Sequence, residues 1–150
     1  MQKQKKILVC PLDWGIGHAA RCVPIINELI KDGHKPIIAA DNRPLEFLRK
    51  EFPELEFIRF KGYAPVYPKR GSMTWKMFCS VPGILKGIRS EHKASQQIIK
   101  ENKIDLVISD NRYGLWNKNV KTIFITHQVM VKLPFFIKIF EPLLSALIRK

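Results

Sequence analysis

Gly15-Ile16-Gly17-His18-Ala19-Ala20 sets a histidine directly behind two glycines, where an apolar run gives way to a helix-like segment. That position suits a base. A helix N-terminus carries partial positive charge that disfavours the imidazolium, and a neutral imidazole facing a ligand can take a hydroxyl proton. Far along the chain, Ser109-Asp110-Asn111-Arg112-Tyr113-Gly114 offers a carboxylate at the end of another apolar run. An aspartate beside a histidine fixes its tautomer and stabilises the imidazolium formed on proton transfer. Taken by itself, Asp110 reads equally as a turn or cap carboxylate. The glycines admit two further readings. Gly15 to Ala20 fits the dinucleotide fingerprint, with Asp41 placed after a second strand to receive a ribose hydroxyl. It also fits a plain strand-to-helix turn that needs a positive φ.

Such groups need a scaffold to hold them. The apolar run at 6–12 predicts a strand buried on both faces. Ala19, Cys22, Val23, Ile26, Leu29 and Ile30 at helical spacing predict a helix from His18 to about Lys31, with Pro24 in its first turns and Gly33 as its stop. Further strands are predicted at 35–40, 55–60, 104–109 and 120–126. Helices are predicted from Asp41 to Phe52 and from Trp75 to about Asn102, the second kinked or split at Pro82-Gly83. An irregular stretch at 61–74 lies between them, and 131–150 is apolar and helix-like. Strands alternating with helices define the fold class as α/β, a Rossmann-like parallel sheet with helices on both faces. Ligands in such sheets sit at the carboxyl ends of strands. The residues selected are 13–18, 41–43, 61–74, 110–114 and 127–128.

The chain has 150 residues, 46% hydrophobic and 26% charged, the balance of one globular domain rather than a disordered segment. Its formal net charge of +13 points to anionic partners. From Arg59 to Lys93 basic residues face the single acid Glu91, with Tyr63, Tyr67, Trp75 and Phe78 among them. Basic and aromatic residues interleaved in this way fit a nucleic-acid strand or an anionic membrane surface. No nucleic-acid-binding module is recognisable, and the membrane accounts better for the mixture. The tail from Leu133 to Ile148 reads either as an interfacial helix or as a core helix. Cys10, Cys22 and Cys79 lack ligand spacing, His34 and His92 have no ligand-spaced partner, and no metal site is expected. No apolar stretch approaches the ~20 residues of a spanning helix. Without a signal sequence either, the expected location is the cytoplasm.

Pro11-Leu-Asp-Trp-Gly-Ile-Gly-His-Ala-Ala-Arg21, Val107-Ile-Ser-Asp-Asn-Arg-Tyr-Gly114 and Ile125-Thr-His-Gln128 together resemble the N-terminal half of GT-B glycosyltransferases. The nearest likeness is to the family of the peptidoglycan lipid-linked N-acetylglucosaminyltransferase. UDP-glycosyltransferases are more distantly similar. The first turn, Asp13 to Gly17, holds fewer glycines than in the peptidoglycan enzymes. The resemblance spans nearly all of 1–150 and implies a single acceptor-side domain of an inverting, metal-independent enzyme, at the inner face of the membrane where the acceptor is lipid-linked. It implies His18 as base and Asp110 as its orienting carboxylate. It also implies Asp13, Gly15, Gly17, Arg21, Asn111, Arg112, His127 and Gln128 as the groups around the acceptor. No cofactor is implied beyond the nucleotide-sugar donor, a UDP-sugar held mainly by a second half. Nothing in the chain supplies that half, so a longer polypeptide or a separate subunit is expected to bring it, and the chain alone is not expected to turn over. Two readings from other classes stay open: a small dinucleotide-binding module using Gly15, Gly17 and Asp41, and a non-catalytic basic adaptor for membrane or nucleic acid.

Overall fold

A computed structural model describes residues 3–62 and 73–126, with the side chains of 73–81 left aside. The elements alternate as β1 (Lys6–Cys10), α1 (Ile16–Lys31), β2 (Lys35–Ala40), α2 (Asn42–Glu51), β3 (Glu56–Arg59), α3 (Met73–Asn102), β4 (Leu106–Asp110) and β5 (Lys121–Ile125). All four strand pairs are parallel, in the order β3-β2-β1-β4-β5. The expected α/β sheet with helices on both faces is what forms.

The central strands are buried on both faces, which is why they read as unbroken apolar runs. On one face, Ile7, Val9, Ile38, Ala40 and Ile108 pack beneath Ala19, Cys22 and Ile26 of α1 and Leu45 and Leu48 of α2. On the other, Leu8, Cys10, Ile37, Ala39 and Val107 pack with Ile99 of α3 and with Phe60, Ile104 and Leu115. The β1–β4 register pairs Cys10 with Ser109, so the turn after β1 stands beside the end of β4.

Two expectations about helices are corrected. α1 starts at Ile16, before His18, so Pro24 lies in its interior rather than its first turns. Pro24 and Ala20, the residue four before it, are both exposed, which puts the lost hydrogen bond on the side of α1 where it is tolerated. α3 runs through Pro82 as one helix, with no split there.

The helix ends differ in a testable way. Gly33, at φ 77°, terminates α1 in the left-handed conformation, and the His34 N–H donates back to the Leu29 carbonyl. Lys103 terminates α3 the same way at φ 52°, with the Ile104 N–H donating to the Ile99 carbonyl. A side chain in that region costs about 1–2 kcal/mol. Lys103→Gly should therefore raise stability by about 1 kcal/mol, seen as a higher urea midpoint. A lowered midpoint would refute the strain.

β4 and β5 are joined by residues 111–120 with no crossover helix between them. α3 serves as the cover instead. The Gly114 carbonyl accepts from Ser95 Oγ, Gln96 donates to the Trp116 carbonyl at 2.8 Å, and the His92 and Trp116 rings stack at 4.0 Å.

Candidate functional site

The turn after β1 contains no local reason for its glycines. Gly15 caps α1 with extended backbone at φ 166°, and a Cβ added at Gly15 or Gly17 would meet nothing within 4 Å. Neither a left-handed φ nor crowding by the described residues requires glycine here, which corrects the positive-φ reading. No side chain caps α1 and its first turn holds no acid. A helix start with a glycine N-cap and no acid in its first turn suits an anion. Trp14 is 54% and Ile16 46% exposed beside this open backbone.

His18 sits in the first turn of α1 and Asp110 ends β4. The adjacency of β1 and β4 brings them together, with His18 Nδ1 2.9 Å from Asp110 Oδ2. Asp110 is fully buried and His18 keeps 14% of its side chain exposed. A carboxylate oxygen at this distance accepts from Nδ1 when that nitrogen carries the ring proton, the tautomer that puts the lone pair on Nε2. Arg21, one turn further along α1, approaches the same atoms: its Nε lies 3.4 Å from Asp110 Oδ2 and its Nη2 3.1 Å from His18 Nδ1. Asp110 Oδ1 has no hydrogen-bond partner among the described residues. The Cys22 thiol, one turn beyond His18, is pushed up to about 12 by burial and, to a lesser extent, by the charge of Asp110.

The other candidate side chains are engaged within the protein. Asp13 Oδ2 accepts from the Gly62 N–H at 2.7 Å and its Oδ1 from the Asp41 N–H at 3.2 Å, tying the ends of β1, β2 and β3 together. Burial raises the Asp13 carboxyl, with the Arg112 charge and these two N–H groups opposing the shift. The Asp41 carboxylate receives Arg59 Nε at 2.8 Å, which holds it below its ordinary value. Asn111 adopts φ 58°, its N–H donates to the Ile125 carbonyl, and its Oδ1 accepts from Thr126.

Arg112 departs furthest from expectation. Its side chain has no exposed surface, so it does not present a guanidinium to an acceptor. Nε donates to Glu91 Oε1 at 2.8 Å, the Pro11 and Phe60 carbonyls accept from the remaining nitrogens, and the guanidinium stacks 4.1 Å above the Phe60 ring. It ties α3 to the ends of β1 and β3. Glu91 completes the tie by accepting from the Gly114 N–H at 3.1 Å.

Glu91 is the residue that sequence reasoning missed, while Gly62 and Gly114 fall within the selected 61–74 and 110–114 without a role assigned to them. A Cβ at Gly62 would lie 2.6 Å from Asp13 Oδ2, and one at Gly114 2.8 Å from Glu91 Oε2, so both glycines are required by close approach. The one available signal was Glu91 as the lone acid in a basic stretch. A cavity of about 510 Å³ opens between the end of β3 and α3, lined by Phe60, Gly62, Glu91, Ala94 and Ile98 among others, with no part of the His18–Asp110 pair in its wall. His127 and Gln128 lie outside the described residues, as do the tail from 131 and most of the irregular stretch after Gly62. Among the described residues, no helix is long and apolar enough to cross a membrane and no group of side chains has the makings of a metal site.

The family described as Glycosyl transferase family 1 matches residues 5–125. Among solved structures, CalG4, the calicheamicin glycosyltransferase, superposes with a TM-score of 0.62 at 15% identity, over 94% of this chain and 37% of that one. A glycosyltransferase from Rickettsia africae ESF-5 superposes at 0.57 with 19% identity, over 93% of this chain and 34% of its own. The chain therefore spans little more than a third of the length of either. At such identities the likeness is one of fold, the five-stranded parallel sheet and its helices matching one half of a GT-B architecture. No curated protein matches in sequence.

Proposed function

The chain belongs to glycosyl transferase family 1, and from that premise we propose that it is the acceptor-side half of an inverting glycosyltransferase. The observation that carries this reading is the 2.9 Å contact between His18 Nδ1 and the buried Asp110 carboxylate at the carboxyl ends of the strands. A donor half, in the same longer polypeptide or in a separate subunit, holds a UDP-sugar against this surface.

In the step proposed, His18 Nε2 takes the proton of an acceptor hydroxyl while Asp110 receives the hydrogen bond from Nδ1–H and stabilises the imidazolium. The freed oxygen attacks the anomeric carbon from the side opposite the diphosphate. The bond from that carbon to the diphosphate oxygen breaks, and its electron pair leaves with the nucleoside diphosphate. Negative charge then grows near the uncapped start of α1, where backbone N–H groups and the open glycines favour it.

We infer a lipid-linked acceptor, taken from an anionic membrane surface in the cytoplasm. The support is the exposed Trp14 and Ile16 beside the base and the exposed Lys86, Arg89 and Lys93 along α3. A dinucleotide site is less well supported, because the Asp41 carboxylate such a site would need is taken up by Arg59.

The product decides. With both halves present and an α-linked UDP-sugar as donor, the enzyme should release a β-glycoside, identified by its anomeric proton coupling. An α-glycoside would overturn the single-displacement mechanism and the role of His18 in it.

A further inference from the structure

The His18–Asp110 pair leaves a physical problem. Asp110 has no exposed surface, and Oδ1 finds no partner among the described residues. A buried carboxylate held by one imidazole N–H is poorly compensated, and it has a neutral alternative. The carboxylic acid would donate to Nδ1 and drive the ring proton to Nε2, which removes the lone pair that a base needs.

We infer that Arg21 is the positioning residue that prevents this inversion. It lies on the same face of α1 as His18, and its Nε stands 3.4 Å from Oδ2, the same oxygen that faces His18 Nδ1. The guanidinium sets a positive charge beside Oδ2, and its placement turns this oxygen rather than Oδ1 toward the ring. Arg21 Nη2 also stands 3.1 Å from Nδ1 and can donate to it when that nitrogen carries the lone pair, so each tautomer finds a partner and the ring spectra tell which one holds. Arg21 thus acts on the reaction through Asp110 and His18 and does not meet the acceptor. Its position differs from that of an ordinary surface arginine, since 65% of its side chain is covered and the guanidinium points inward at a buried acid.

The inference rests on the proposed transfer reaction for its purpose but not for its first test. The ¹⁵N shifts of the His18 ring, measured in the 150-residue chain, identify the tautomer directly. The wild type should show Nδ1–H alone. Arg21→Met keeps the apolar stem and removes the charge, and should move His18 to a mixture or to Nε2–H. Arg21→Lys should restore much of the original pattern. An Nδ1–H tautomer unchanged in Arg21→Met would overturn the inference, provided the variant unfolds at the wild-type urea midpoint. A lower midpoint calls for the same spectra on Arg21→Gln, judged by the same criterion.

In the two-half enzyme, Arg21→Met should lower kcat by up to about 100-fold, the order a displaced catalytic group costs, with the acceptor KM within about twofold. A risen KM with the tautomer intact would instead make Arg21 an acceptor contact and end the positioning role. A shifted tautomer with full turnover would keep Arg21 as the positioning residue and remove His18 as the base.

Discussion

Replacing His18 by Ala or Gln in the proposed two-half enzyme should lower kcat by about 10²–10⁴-fold, the range a positioned general base contributes, with the acceptor KM changed only a few-fold. The split follows from geometry. His18 keeps 14% of its side chain exposed and spends one nitrogen on Asp110, so it offers little surface to a bound acceptor and one lone pair to a hydroxyl proton. Asp110→Asn should be nearly as damaging. An amide accepts the Nδ1–H with less charge, or donates to Nδ1 and selects the wrong tautomer. Because the two residues act as a unit, the double variant should be no worse than the poorer single one. Turnover within threefold of wild type in His18→Gln would remove the base assignment, whatever Asp110 does.

The second large effect concerns stability. Arg112→Met keeps an apolar stem but leaves Glu91, itself 7% exposed, holding a buried charge against the Gly114 N–H alone. Breaking a buried ion pair from one side costs about 3–5 kcal/mol, a large share of the 5–15 kcal/mol by which native domains are stable. Urea unfolding should register a loss of that order. Removing that charge as well, in Arg112→Met with Glu91→Gln, should recover part of the loss, since Asp13 still loses the Arg112 cation 3.6 Å away. A single variant that loses under 1 kcal/mol would show that Arg112 does not clamp α3 to the sheet.

The strands were the legible part of this molecule, and the reason is visible in Ile7–Cys10, Ile37–Ala40 and Val107–Ser109. Each is covered on both faces, and a chain covered on both faces has no polar positions to interrupt its pattern. Helix starts were harder to read. Glycine at 15 and 17 lowers helix propensity, yet α1 already runs from Ile16, because packing of Ala19, Cys22 and Ile26 on the sheet outweighs a weak local preference.

Of the candidate site, His18 and Asp110 each stood out as a residue type at the end of a strand, while the distance between them depended on β4 lying next to β1. Arg112 was misread for a general reason. A charged residue in a loop after a strand is by default exposed, and nothing local signals that Glu91, on a different element, will bury it.

The strand order also shapes how the protein is made. β1 is flanked by β2, which follows it directly, and by β4, which comes only after α3. Until β4 emerges, β1 is the edge of an unfinished sheet, and its unpaired backbone along Ile7–Cys10 is a template for strands of other chains. His18 precedes Asp110 by 92 positions, and at ribosomal speeds of about 5–20 residues per second the wait is roughly 5–20 s. Through that interval the nascent chain carries its histidine without the carboxylate that orients it, and an apolar edge that invites chaperones or aggregation. Joining of the two waits for β4 to pair with β1, which makes the histidine's tautomer a reporter of that pairing.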